Sequence, residues 1–285
     1  MQLYVLLGIY AAVLGLIVGS YLNVVIYRVP RGISTVLPRS RCPGCGNPIR
    51  PADNVPVLSY LLLRGRCRTC GTPIHWRYPA IEAATGLLFV ACFLRFGPTP
   101  DALAAAVFAC VMVALAAIDV EHLLLPDRIT LPGTALGIAV QPLLGYGQGW
   151  ATLPGWLGGG RLVPWLSAVL GGVFGAVVGA GILLALYLGW LALRREEGMG
   201  LGDVKMLALV GAFLGWPGVL ICLFFSSLTG AVTGIALMAV RGGDLKSKLP
   251  FGAFLALGGL IALLAGPEIA AWYGGLLVPP LPPSP

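Results

Sequence analysis

Charge is scarce in this chain: Asp, Glu, Lys and Arg make up only 10% of its 285 residues, against 58% apolar residues. So little polar surface excludes a soluble globule. With a mean hydropathy of +0.91, the composition defines an all-α polytopic membrane protein. No basic n-region or cleavage site accompanies the first apolar run, so no removable signal peptide is expected. No convincing internal repeat is evident, which counts against an inverted-repeat transporter. No acidic residue lies at the middle of an apolar run, which counts against a transmembrane proton relay. The net charge of +7 fits loops that meet anionic lipid head groups better than it fits nucleic-acid binding.

What is present is a series of apolar runs near the ~20 helical residues needed to cross a hydrocarbon core. They cover residues 3–27, 79–94, 102–118, 129–144, 165–193, 204–216, 218–240 and 251–273, which gives about eight transmembrane helices. The fourth is punctuated by Pro132 and Pro142, and the sixth is short before Pro217. Alternating sides from the N-terminus leaves only Arg95 and Arg161 on one face and the other 16 of the 18 basic residues on the opposite face. The positive-inside rule makes the richer face cytoplasmic and puts both termini outside. Removing the short sixth helix would move Arg241, Lys246 and Lys248 outside, which the same rule disfavours.

The chain therefore divides into a first transmembrane helix (1–27), a proline-punctuated cytoplasmic insert between helices 1 and 2 (28–78), and a transmembrane core (79–285). Residues 145–161, rich in Gly and Trp, suit an irregular external loop. The proline-rich end, 278–285, cannot extend a helix.

The insert carries Cys42-Pro-Gly-Cys45 and, 21 residues later, Cys67-Arg-Thr-Cys70. Two such pairs offer four thiolates to one tetrahedral ion, and zinc is the favoured metal. Gly46 and Gly71 permit the tight turns that aim N–H groups at sulfur, and Arg41, Arg66 and Arg68 favour thiolates. Four protein ligands leave no place for water, so the zinc would be structural and would stabilise a loop too small for a good core. Two disulfides are the alternative, in an oxidising compartment that the charge asymmetry argues against. His75 reads as a loop residue rather than a spare ligand, and Cys92, Cys110 and Cys222 as small buried hydrophobes.

Only six Asp and five Glu occur, so carboxylates at the ends of apolar runs stand out. Asp119 follows the run 102–118, and Asp203 follows Gly198, Gly200 and Gly202; the charge asymmetry puts both at the cytoplasmic face. Each also has a plain structural reading, Asp119 as an interfacial helix end and Asp203 as a helix cap. The three glycines tip the balance, because a cap needs one residue whereas clustered glycines let another backbone approach closely. Two carboxyls in a partly dry site do not both ionise easily, so one holds a proton while the other acts as base. Glu121 and Asp127 lie in the same short segment as Asp119 and compete with it on residue chemistry.

The order of these motifs resembles the type IV prepilin peptidases, intramembrane aspartic proteases of the GxGD type. The matching residues are Gly19-Ser20-Tyr21-Leu22-Asn23, the tetracysteine insert, Arg77-Tyr78-Pro79 with Glu82, Asp119 before Leu125-Pro126-Asp127, Gly200-Leu201-Gly202-Asp203-Val204-Lys205, and Leu249-Pro250-Phe251-Gly252. The resemblance implies a catalytic pair at Asp119 and Asp203. It gives Gly200, Gly202, Asp127, Lys205 and Glu82 supporting places. It implies removal of a basic leader after glycine from prepilins or type II secretion pseudopilins at the cytoplasmic membrane face. It further implies N-methylation of the new terminus, usually phenylalanine, with S-adenosylmethionine, an activity tied to the cytoplasmic insert. No glycine-rich methyltransferase fingerprint occurs in 28–78; Asp53, Asn54 and Glu82 are the nearest candidates there. The competing function is a zinc-ribbon membrane anchor that recruits a cytoplasmic partner, with both aspartates as helix ends and no protease activity.

Overall fold

A computed structural model describes residues 2–144, 152–195, 200–241 and 249–277. Gly198, Lys246, Lys248, residues 145–151 of the expected external loop and the proline-rich end 278–285 lie outside them. The described residues form helices α1 (Gln2–Arg28), α2 (Leu58–Leu62), α3 (Arg77–Phe96), α4 (Pro100–His122), α5 (Asp127–Val140), α6 (Pro164–Arg194), α7 (Leu201–Arg241) and α8 (Phe251–Leu277), and no strand. Six of them, α1, α3, α4, α6, α7 and α8, are long and apolar enough to cross a membrane. The all-α, multi-pass class therefore holds, while the segmentation differs from the eight expected spans. The fourth expected span is the 14-residue α5, about 21 Å at 1.5 Å per residue, and Pro142 opens a short 3-10 turn, Gln141–Leu143, after it. The expected sixth and seventh spans are two parts of α7, broken where Gly215 takes φ 66° and ψ −179° two residues before Pro217.

The chain separates into two compact units, residues 1–129 and 130–285. In the first, α1 packs along α3, and glycine sets the approach. A Cβ on Gly15 would lie 2.8 Å from Gly86 Cα, and one on Gly19 would lie 2.7 Å from Glu82 Cα. Gly15 and Gly19 form the small-xxx-small pattern by which membrane helices, lacking a hydrophobic drive between them, gain close van der Waals contact. Leu22, Ile26, Ile81, Ala114 and Ile118 then make a core shared by α1, α3 and α4.

In the second unit, α6 and α7 run antiparallel on the same principle. A Cβ on Gly175 would meet Gly215 Cα at 2.8 Å, and one on Gly179 would meet Leu207 carbonyl carbon at 2.9 Å. Met206, Leu207, Leu209, Val210, Ala212, Phe213 and Leu214 are all buried on the first part of α7. By contrast, Leu87, Val177, Leu186, Phe224 and Ile235 are exposed, as side chains facing lipid should be.

Candidate active site and metal centre

The insert builds a four-thiol cluster that could hold a metal ion from two copies of one short motif, Cys-x-x-Cys-Gly-x-Pro-Ile, at residues 42–49 and 67–74. In the first copy, Cys42 N–H donates to Asn47 O and Gly46 N–H to Cys42 O; Cys67, Thr72 and Gly71 repeat this in the second. Gly46 and Gly71 turn the chain with φ of +71° and +70°, a region open to glycine and strained for other residues. Pro48 bridges back to Arg41 and Pro73 to Arg66. The repetition was visible in the sequence beyond the cysteines, in the shared Gly-x-Pro-Ile, but had no weight there without the matching backbone.

The four sulfurs lie within 4.8 Å of one another. Cys42 Sγ and Cys70 Sγ are 3.7 Å apart, close to the edge, about 3.8 Å, of a tetrahedron with 2.3 Å zinc–sulfur arms. That separation is far beyond the ~2.05 Å of a disulfide, and all seven cysteines are free thiols. Hydrogen bonds from the Thr72 hydroxyl and backbone bring the Cys70 thiol down to about 6, and the hydroxyl lies 3.1 Å from the sulfur. Backbone N–H groups of Cys70 and Thr69 lower Cys67 as well. At Cys45 the Asn47 backbone bond pulls downward, but loss of water contact and the Cys70 and Cys42 sulfurs outweigh it, and the thiol is pushed up to about 11. Thiolates thus form unevenly before a cation arrives, and a soft divalent ion such as zinc fits this donor set. His75 is not among the clustered ligands; its Nδ1 accepts the Arg77 backbone N–H at 3.1 Å.

Above the cysteine turns, Asp53 accepts three hydrogen bonds from Arg68, the shortest 2.7 Å, which hold its carboxyl below the usual range. Glu82, on the first turns of α3, accepts the Val57 N–H through Oε2 at 2.7 Å. Asn54 is exposed.

Among the three acids near the end of α4, their surroundings differ. Asp119 is 5% exposed and its backbone carbonyl accepts the Leu123 N–H that ends the helix. Glu121 forms an ion pair with Arg77 at the start of α3, a contact that sequence order gave no reason to expect. Asp127 opens α5 and is exposed.

Asp203 is 8% exposed and lies inside the first turn of α7, its N–H donating to Gly200 O at 3.2 Å. It is therefore the third helical residue, rather than the residue that caps the helix. Gly200 has open space around it: a Cβ there would find only Gly202 N, at 3.8 Å. Lys205 follows in the next positions of the same helix, half-buried.

Taken together, these features define a multi-pass membrane protein with a four-thiol cluster able to hold a metal ion in its first unit and a buried aspartate near a helix end in each unit. Residues 13–96 match the model of the bacterial peptidase A24 N-terminal domain, and residues 106–235 match that of the type IV leader peptidase family. The chain belongs to the type IV leader peptidase family, and it is an enzyme of the peptidase class. It is similar to the prepilin leader peptidase/N-methyltransferase of Aeromonas salmonicida, 38% identical over 283 residues that cover 90% of each chain. The protein of the same description from Pseudomonas putida is 39% identical, over 92% of this chain and 91% of that one. The one from Myxococcus xanthus is 43% identical over 238 residues, covering 83% of this chain and 65% of that one. No solved structure matches.

Proposed function

We propose that this protein removes the basic leader of type IV prepilins or type II secretion pseudopilins after a glycine, at the cytoplasmic face of a bacterial inner membrane, and then N-methylates the new terminus. The carrying observation is similarity along 90% of the chain to proteins described as prepilin leader peptidase/N-methyltransferase. The insert 28–78, which holds nine of the 18 basic residues, faces the cytoplasm in this reading, and the catalytic carboxylates share that face.

Asp119 and Asp203 act as the catalytic pair. The ionised member takes a proton from water, whose oxygen adds to the glycyl carbonyl carbon, while the protonated member gives its proton to the carbonyl oxygen. The carbon–nitrogen bond then breaks, its electron pair stays on nitrogen, and a proton from the pair goes to the departing amine. Burial of both aspartates supports this choice over exposed Asp127 and ion-paired Glu121, since a site shielded from bulk water strengthens the electrostatics of the reacting groups. Gly200 and Gly202 offer backbone to an extended substrate segment; Lys205 supports it from the next turn of the same helix, and Asp127 does so from the start of α5.

Zinc bound by Cys42, Cys45, Cys67 and Cys70 holds the insert together and takes no part in hydrolysis, because four thiolates complete its shell. S-adenosylmethionine, when bound, supplies a methyl group to the unprotonated terminal amine, leaving a neutral thioether.

The test is cleavage of a prepilin-like peptide by purified protein. Asp119→Asn and Asp203→Asn should each slow cleavage by about 10²–10⁴-fold, the range for loss of general acid–base catalysis. Undiminished cleavage by either variant sinks the pair and favours a membrane anchor without protease activity.

A further inference from the structure

The insert of the first unit presents large apolar side chains on its surface, where no span accounts for them. Leu58, Leu61 and Leu62 of α2 are 53%, 64% and 73% exposed, and their i, i+3, i+4 spacing puts them on one face. Ser59 and Tyr60, turned the other way, line a cavity of about 530 Å³ that Asn23 also borders. A helix facing water does the reverse and turns its apolar stripe toward the core. The outer face of α2 therefore suits an apolar surrounding. Val36 and Leu37, earlier in the insert, are exposed as well.

Two side chains fix the height of these segments relative to the spans. Glu82 Oε2 accepts the N–H of Val57, the residue directly before α2, at 2.7 Å. Glu82 is the sixth residue of α3, about 7 Å inside the end of that helix at 1.5 Å per residue. The 20 residues of α3 make about 30 Å, the thickness of a hydrocarbon core. The start of α2 is thus within one side chain's reach of a residue below the span's end, at the level of the leaflet's polar boundary. Val57 holds φ +59° there, a conformation rarely kept by a β-branched residue unless its surroundings impose it. Arg28, the last residue of α1, anchors the other segment: its Nη1 donates to Ser34 O at 2.8 Å and its Nη2 to Pro38 O at 2.6 Å.

Charge points the same way. Residues 28–78 hold nine basic residues and one acid, Asp53, which Arg68 already pairs. Arg39, Arg64 and Arg66 are exposed and adjoin the two apolar segments in sequence. Arginines beside outward leucines match the layering of a leaflet, phosphates above acyl chains.

We propose that α2 and the turn at Val36 and Leu37 are seated in the lipid leaflet on the insert's side of the membrane. Leu58, Leu61 and Leu62 enter the upper acyl chains, within the 5–10 Å or so to which interfacial helices bury an apolar face, and the neighbouring arginines meet lipid phosphates. The insert then lies on the bilayer instead of projecting into water, and what covers its apolar face is lipid, not a partner protein. This stands apart from the cleavage and methylation readings.

The full chain is reconstituted in vesicles of phosphatidylethanolamine and phosphatidylglycerol carrying a phospholipid with a photoactivatable diazirine, placed near the carbonyl end of the acyl chain in one preparation and at mid-chain in another. Mass spectrometry locates the cross-linked residues. Leu87, exposed midway along α3, serves as the reference for the mid-chain probe. The shallow probe should label Leu58, Leu61 and Leu62 while sparing Ser59 and Tyr60. Changing all three leucines to serine should abolish the label on α2 and leave Leu87 labelled, with thermal unfolding unchanged; if that variant fails to fold, the wild-type pattern decides. A wild-type chain labelled at Leu87 but not at 58–62 overturns the proposal and leaves the face to water or a protein partner. Labelling as strong at Ser59 and Tyr60 as at the leucines, or undiminished in the folded variant, overturns it too.

Discussion

Replacing Gln141 by leucine should destabilise the second unit far more than its position at the end of a short helix suggests. Pro217 has no N–H to offer the carbonyl of Phe213, four residues earlier, and the Gly215 break diverts the N–H that would reach Ala212. Gln141, fully buried, supplies both: its Nε2 donates to Ala212 O at 2.7 Å and to Phe213 O at 2.9 Å. Each buried carbonyl left without a donor costs about 1–3 kcal/mol, and no water reaches the apolar interior to replace it. Some of this is offset, because Gln141 Oε1 is itself buried without a partner and leucine removes it. The net loss is about 3 kcal/mol, on the order of a hundredfold in the folded-to-unfolded ratio. Reversible unfolding of the purified protein in mixed micelles, followed by tryptophan fluorescence, measures it. Pro217→Ala returns an N–H near Phe213 O, so Gln141→Leu should cost about 1 kcal/mol less in that background. A Gln141→Leu protein within about 0.5 kcal/mol of wild type, or strict additivity with Pro217→Ala, would refute the capping argument.

In metal-free protein, Cys70 should alkylate first and its rate should rise through about pH 6, while Cys45, pushed up to about 11, lags. The sign follows from the depressed value: the thiolate's contribution to loop stability is complete above the ordinary 9.0 and is lost as pH falls through about 6. Thr72→Val should move the Cys70 profile up toward 9.0, and bound zinc should protect all four thiols; mass spectrometry of labelled peptides reads both, and an unmoved profile refutes the assigned cause. Gly19→Ala places a methyl 2.7 Å from Glu82 Cα, so α1 and α3 must separate; overpacking of this kind costs about 1–3 kcal/mol, and an unchanged thermal unfolding midpoint would contradict it.

Much of the molecule was legible because the bilayer limits the choices. Apolar runs had to be helices, the four cysteines had metal spacing, and acids were too few for Asp119 and Asp203 to pass unnoticed. Segment limits were less legible. Residues 129–144 and 204–240 each carry enough apolar residues to cross, but Pro142 ends one helix and Gly215 breaks the other, and composition averages over such single positions. Contacts between distant residues were not legible at all. Neither the ion pair of Glu121 with Arg77 nor the differing burial of Asp119 and Asp127 could be read from their order in the sequence. Asn23 stood in the sequence only as the last residue of the motif Gly19-Ser20-Tyr21-Leu22-Asn23, and the cavity beside it exists only because residues 40–82 fold back onto that helix.

The break at Gly215 also makes a lever. Asp203 lies 12 residues from it, about 18 Å along a helix rising 1.5 Å per residue, on a stiff rod ending at one swivel point. A tilt of about 10° there carries the carboxylate roughly 3 Å, the length of one hydrogen bond. An unbroken helix would have to slide or melt to move that acid as far, whereas here rotation about one residue suffices, with Gln141 seated on the carbonyls at the pivot.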